Sequence, residues 1–234
     1  MFAGAGGCRL VHRWSYARKE QKMKDLYISV DIETDGPIPG DNNMVTIGAV
    51  PVARNGKDGR WYIGTETFYS RLERRPNAVS DKQTMEWWRE QAHKMYEEAF
   101  LAQPRTHPMN AMQDFVDWTR ELHTLTYKTD EVILAAAPIM FDGMWVRWYL
   151  EHYLGSSRPF SHRGLDMKSF WMGGGPNRTY ADAHHPHNDL FESLVGKQAV
   201  GTQHHALYDA QYQALVLTAL LNDRDDSRWV VEKC

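Results

Sequence analysis

Apolar residues recur along this chain with two different periods. Leu26–Asp31 is apolar on both sides and ends in an acid, Met44–Val50 is a second apolar run, and Trp61–Ser70 is rich in β-branched and aromatic residues. Each predicts a strand. PIPGDNN after the first run is a turn, and GKDG at 56–59 is hairpin chemistry between the second and third. Ser80 and Gln83 have the spacing of a capping box, which predicts a helix starting at Ser80. Met112, Phe115, Val116, Thr119 and Leu122 follow helical spacing, so 110–125 reads as an amphipathic helix. Glu131–Ala136 is a buried strand, Phe141–Leu154 an aromatic helix, Phe160–Leu165 another strand, and Ala206–Leu221 a long C-terminal helix. GGGP and HHPHN within 172–188 break both periods and predict a mobile loop. The order βββ-α-β-α-β-α predicts an α/β fold, a mixed sheet of about five strands with helices on its faces.

Composition narrows this picture. A chain of 234 residues, 42% hydrophobic and 24% charged, suits one globular α/β domain. Nine tryptophans predict a core and a cleft rich in aromatics. The two cysteines, Cys8 and Cys234, lie near opposite ends, which excludes a disulfide framework and a cysteine zinc site and fits a reducing, cytoplasmic compartment. No run of 18 apolar residues occurs, so no membrane-spanning helix is expected. The net charge of −3 is uneven: residues 1–24 carry six cations against Glu20, a local +5, which leaves about −8 for the rest. Residues 1–22 lack periodicity and are expected to form a flexible basic arm, a transit-like segment or a tag-like extension, with the folded domain over 23–234. An acidic body repels long polyanions unless metal ions or a local basic patch intervene. A cation-holding acidic cluster would account for the charge, and so would a solvated acidic surface.

Three segments carry candidate chemistry. In DIETDG at 31–36, Asp31 and Glu33 are two apart on a strand and leave the same face, while Ile32 points to the core. Adjacent carboxylates repel unless a cation sits between them, and their oxygens suit Mg²⁺ or Mn²⁺. In HHALYDAQYQALVL at 204–217, His204 stands just before the last helix and Asp209 in its first turns, an arrangement suited to a base beside a metal ligand or to a plain cap. In FDGMWVRWYL at 141–150, Asp142 enters a helix from a strand end, where an acid also serves the helix dipole.

Taken in order, these segments resemble the three motifs of the DEDDh group of DnaQ-like exonucleases, which have a ribonuclease H-like fold. DIETDG is similar to the first motif, Phe141-Asp142 to the second, and His204-x₄-Asp209 to the third, over roughly residues 26–221. TMEWWREQ at 84–91 resembles a segment of a phage and bacterial exonuclease subgroup. The resemblance implies a 3′→5′ exonuclease in which Asp31, Glu33, Asp142 and Asp209 hold two Mg²⁺ or Mn²⁺ ions and His204 is the general base. It implies a single-stranded RNA or DNA substrate contacted by Thr34, Asp35, Gly36 and Phe141, and the possibility of a homodimer. Pro138 stands where the family often has asparagine, which leaves Asp166 as a rival to Asp142, although its other role is to cap the next helix. His205 occupies the tyrosine position of a variant group and is expected to point away from the metals, with Tyr208 as packing.

Several features stay open on sequence. Trp87, Trp88, Trp145 and Trp148 suit either base stacking or core filling. Arg71, Arg74 and Arg75 suit phosphate contacts or a solvated turn, and His184, His185 and His187 lack the partners of a zinc site. A catalytically silent nucleic-acid-binding module and a hydrolase of small nucleotides are the competing functions, and the first predicts a lost site residue where all five are present.

Overall fold

Alternation along the first strand sets the architecture. In β1 (Asp25–Thr34), Leu26, Ile28, Val30 and Ile32 leave one face and pack against α3 (Pro108–Glu121) and α4 (Ile139–Leu154). Tyr27, Ser29 and Asp31 leave the other face, which is covered by α6 (Ala206–Asp226). Each of the four apolar side chains on the first face is at most 4% exposed, worth about 1.5–3 kcal/mol apiece. These elements come from a computed structural model that describes residues 25–173 and 203–226. Among them, no helix is long and apolar enough to cross a membrane. The expected arm at 1–22, the loop from 174 onward and the histidines at 184–187 lie outside the described residues.

Among the described residues the sheet has six strands. β2 (Met44–Arg54) pairs antiparallel with β1, while β5 (Glu131–Ala136) runs parallel to β1 and β6 (Phe160–Asp166) parallel to β5. The strand expected over Trp61–Ser70 is two, β3 (Trp61–Ile63) and β4 (Phe68–Arg71), both antiparallel to β2. Pro51 explains the break. Its carbonyl accepts from the Gly64 N–H on that outer edge, but its ring nitrogen has no hydrogen to return, so the ladder stops. With its two faces covered by α3 and α4 on one side and α6 on the other, the sheet is mixed and layered as the ribonuclease H-like resemblance implies.

Other boundaries move for local reasons. The cap of α1 (Lys82–Gln91) is Asp81, whose carboxylate accepts from the Thr84 N–H at 2.8 Å; Ser80 instead donates its hydroxyl to Asp35. The chain then runs through α2 (His93–Tyr96) and a π-helical turn at Glu97–Leu101, neither of which the periodicity marked. α4 begins at Ile139, two residues before Phe141. Asp166 caps the short α5 (Met167–Met172) by accepting from Ser169, the role set beside its rivalry with Asp142.

Candidate active site

The carboxyl end of β1 is where the sheet runs out of partners. Pairing with β5 ends at Ser29–Ala135, so the next donor on that side, the Ile32 N–H, has no strand to receive it. Asp142, in the first turn of α4, fills the gap: its Oδ1 accepts that N–H at 3.1 Å, and the residue is 4% exposed. The other edge of β1 is irregular too. A bulge between Glu33 and Thr34 leaves Val45 of β2 as the extra residue, and Val45 packs on Met85 and Trp88 of α1. Trp88 donates its indole N–H to the Thr34 carbonyl at 3.0 Å, which ties α1 to the strand end.

The third contributor arrives across the sheet. Gly48 of β2 stands opposite Asp31, and a Cβ there would overlap the backbone of Ala206 and Leu207. Its absence lets the first turn of α6 lie directly on the sheet beside the acidic pair. Ser29 fixes the approach by donating to the Ala210 carbonyl at 3.0 Å. His204, just before the helix, has left-handed backbone (φ 62°), uncommon for a residue with a side chain, and its N–H donates to Asp209 Oδ2 at 2.8 Å. Its ring meets Trp87 edge to face, with centroids 4.9 Å apart.

Five of the residues singled out by sequence are thereby brought together. One ligand-type atom from each of Glu33, His204 and Asp209 lies within 4.8 Å of the other two. Burial, then the charges of Asp142, Asp209 and Glu33, hold the Asp31 carboxyl well above its usual range, while the Gln213 amide pulls the other way. Burial, then Asp209 and Asp142, do the same to Glu33. Burial pushes Asp142 up to about 7, against the pull of the Ile32 N–H. A protein that folds four acids into one half-buried point raises its own energy unless cations come with them. All-oxygen donors of this kind are what Mg²⁺ and Mn²⁺ take, and the imidazole beside them suits either a ligand or a base, so the residues fit divalent ions.

The remaining candidates sort differently. Thr34 and Asp35 are buried, and Asp35 accepts from the Asn43 N–H, the Asn43 amide and Ser80, so any substrate contact there falls to backbone. Gly36 packs against the Asn42 side chain, which a Cβ would displace. Phe141 is partly buried on the core near Trp145. Trp88, Trp145 and Trp148 pack within the fold, whereas Trp87 keeps 40% of its surface exposed beside His204. Arg71 pairs with Glu98, Arg74 lies over Phe100, and Arg75 reaches the Gly40 carbonyl and covers Trp148, so the cluster is tied into the fold. His205 stacks on Tyr69 at 4.7 Å and turns its Nε2 to within 3.6 Å of Glu98, with the half-exposed Tyr208 against it. Sequence reading missed Gly48 and Gln213. Gln213 follows Asp209 by four residues, and its polarity among Ala210, Ala214 and Leu217 was the available signal.

Known proteins share this fold. The model of the 3′-5′ exoribonuclease Rv2179c-like domain matches residues 26–221. The 3′-5′ DNA exonuclease Cap18 of Escherichia coli is 28% identical over 198 residues, covering 82% of this chain and 89% of that protein. The nuclease domain of 3′hExo, a DEDDh family member solved with rAMP, superposes with a TM-score of 0.61 at 13% identity, over 88% of this chain and 96% of that one. Exonuclease I of E. coli, solved with single-stranded DNA, gives 0.55 at 14% identity over 88% of this chain and 42% of its own. The fold is thus that of the DEDDh exonucleases, and the chain belongs to the Rv2179c-like 3′-5′ exoribonuclease domain family of phosphodiester hydrolases.

Proposed function

We propose that this chain is a divalent-cation-dependent 3′→5′ exonuclease that shortens single-stranded RNA or DNA and releases nucleoside 5′-monophosphates. The observation that carries this reading is the convergence of Asp31, Glu33, Asp142 and Asp209, the first three held above the usual carboxylate range by burial and by their acidic neighbours, with His204 against Glu33 and Asp209. Asp31, Glu33, Asp142 and Asp209 would hold two Mg²⁺ or Mn²⁺ ions, which supply a nucleophile at neutral pH and neutralise charge on the scissile phosphate.

The protein's own groups do the rest. His204 accepts the proton of the attacking water, its ring held by Trp87 and its backbone by Asp209. The exposed part of Trp87 offers a base a stacking surface next to that proton acceptor, and Phe141 stands on the Asp142 side. The backbone from Thr34 to Gly36 borders the terminal nucleotide. The family's description names RNA and the E. coli relative's name says DNA, which makes both sugars candidates.

The deciding experiment digests single-stranded RNA, single-stranded DNA and duplexes, labelled at one end or the other, with Mg²⁺, Mn²⁺ or excess EDTA. A 3′ label should appear first as a mononucleotide, and a 5′ label should pass down a ladder. Cleavage that persists in excess chelator, or that frees the 5′ label first, defeats the proposal.

A further inference from the structure

Gln213 lies at the end of the second turn of α6, and at 8% exposure it is buried between apolar neighbours. A helix whose task was only to cover the sheet would carry an apolar residue there, since a buried amide is costly unless its groups are bonded. Both ends of this one are. Its Oε1 accepts from the Ala137 N–H at 3.1 Å, and its Nε2 donates to Asp31 Oδ1 at 2.7 Å. The orientation is chemically forced: a backbone N–H can meet only the amide oxygen, and a carboxylate only the NH₂ group. Ala137 follows the last residue of β5 and stands just ahead of α4, the helix that brings Asp142. One side chain therefore joins the three elements that carry the acids.

We infer that Gln213 is a positioning residue for the candidate cation centre, fixing the plane of the Asp31 carboxylate from α6 while holding the β5–α4 junction in register with it. The inference rests on the metal-dependent reading above. Gln213 touches neither substrate nor cation. It stops Asp31 from rotating away from its acidic neighbours when no ion is bound, so that a cation meets a preformed oxygen set. Loss of such an outer hydrogen bond typically costs roughly 10–100-fold in metal affinity.

The test is Mn²⁺ binding to the metal-free, full-length protein by titration calorimetry, with no substrate present. Gln213→Met keeps the length and packing of the side chain but makes neither hydrogen bond. Gln213→Asn keeps the amide but is one methylene too short to span both partners, and it serves if the methionine variant does not fold. Leu217→Ala, in the same apolar cluster, is the control for simple loss of packing. Each Gln213 variant that folds should bind Mn²⁺ roughly 10–100-fold more weakly, with turnover recovering as Mn²⁺ is raised and KM for an oligonucleotide unchanged. Leu217→Ala should lower thermal stability and leave Mn²⁺ affinity within about twofold of wild type. Wild-type affinity in the Gln213 variants, or an equal loss in Leu217→Ala, overturns the role of Gln213 alone. Absence of Mn²⁺ binding by the wild type overturns the cation centre along with it.

Discussion

At the scale of single residues, protonation gives a test that needs no substrate. Asp142 is raised from the ordinary aspartate range to about 7 chiefly by burial, so the folded metal-free protein holds a proton that the unfolded chain has released. Stability from this group is complete below about pH 4 and is lost as pH climbs through 7. Asp142→Asn keeps an acceptor for the Ile32 N–H without the charge. Its metal-free form should melt several degrees above wild type at pH 8, with the gap narrowing toward pH 4 and closing in saturating Mg²⁺. A constant gap across pH would mean that the acid is not held protonated. His204→Ala should lower turnover by roughly 10²–10⁴-fold, and His205→Ala, whose ring stacks on Tyr69, should leave turnover nearly intact. The reverse ranking in steady-state kinetics would shift the third motif by one residue. The acids and His204 were legible in sequence because their chemistry sits at strand ends and a helix entrance. Gln213 was not, because its partners lie 182 and 76 positions away and only the folded chain brings them near.

At the scale of elements, the placement of α6 on β1 and β2 is the decisive packing event. Gly48→Ala would set a methyl against the backbone of Ala206 and Leu207, lifting the turn that carries His204 and Asp209. The expected cost is about 1–3 kcal/mol of stability, together with a fall in turnover, because Asp209 moves relative to Asp31. Gly56→Ala, which meets open space, should change stability by less than about 0.5 kcal/mol and leave turnover alone. Equal activity of the two variants would remove the argument for close approach. The main strands and long helices could be read from periodicity, since the two faces of β1 and the stripe on α3 have different partners. The split between β3 and β4 depends on an absent proline N–H, and the cap of α1 on Asp35 claiming Ser80; both are settled by contacts outside the local pattern.

For the whole molecule, charge argues for a short, unpaired substrate track. The chain after residue 24 carries about −8; Arg71 is paired with Glu98, and Arg75 is committed to the Gly40 carbonyl and the Trp148 ring, which leaves the exposed Arg74 over Phe100 as the accessible cation of that cluster. Among the described residues a duplex, which presents both strands' phosphates, has little to hold, whereas a single strand can offer its last bases to Trp87. Initial rates on single strands should exceed those on blunt duplex by roughly tenfold or more, and the salt dependence of KM should correspond to only a few phosphates. Faster digestion of blunt duplex would place an unseen basic surface in the path of the substrate. The fold class and the gathering of its acids were within reach of the sequence, but the sheet's uneven edges, which put the acids at one point, were not.

The turn that follows the acidic pair also governs how mutational scans of this protein must be interpreted. Asp35 shares a hexapeptide with Asp31 and Glu33, yet its carboxylate is spent on Asn43 and Ser80 and its carbonyl receives the Asp81 N–H at the cap of α1. An alanine there releases the turn, then α1, then the tryptophan that steadies His204. Such a variant would be as inactive as one lacking a proposed ligand, and an activity screen alone would count it among the acids proposed to hold the cations. The two kinds of loss separate on heating without metal: removing a crowded acid relieves repulsion and raises the melting temperature, while removing Asp35 lowers it.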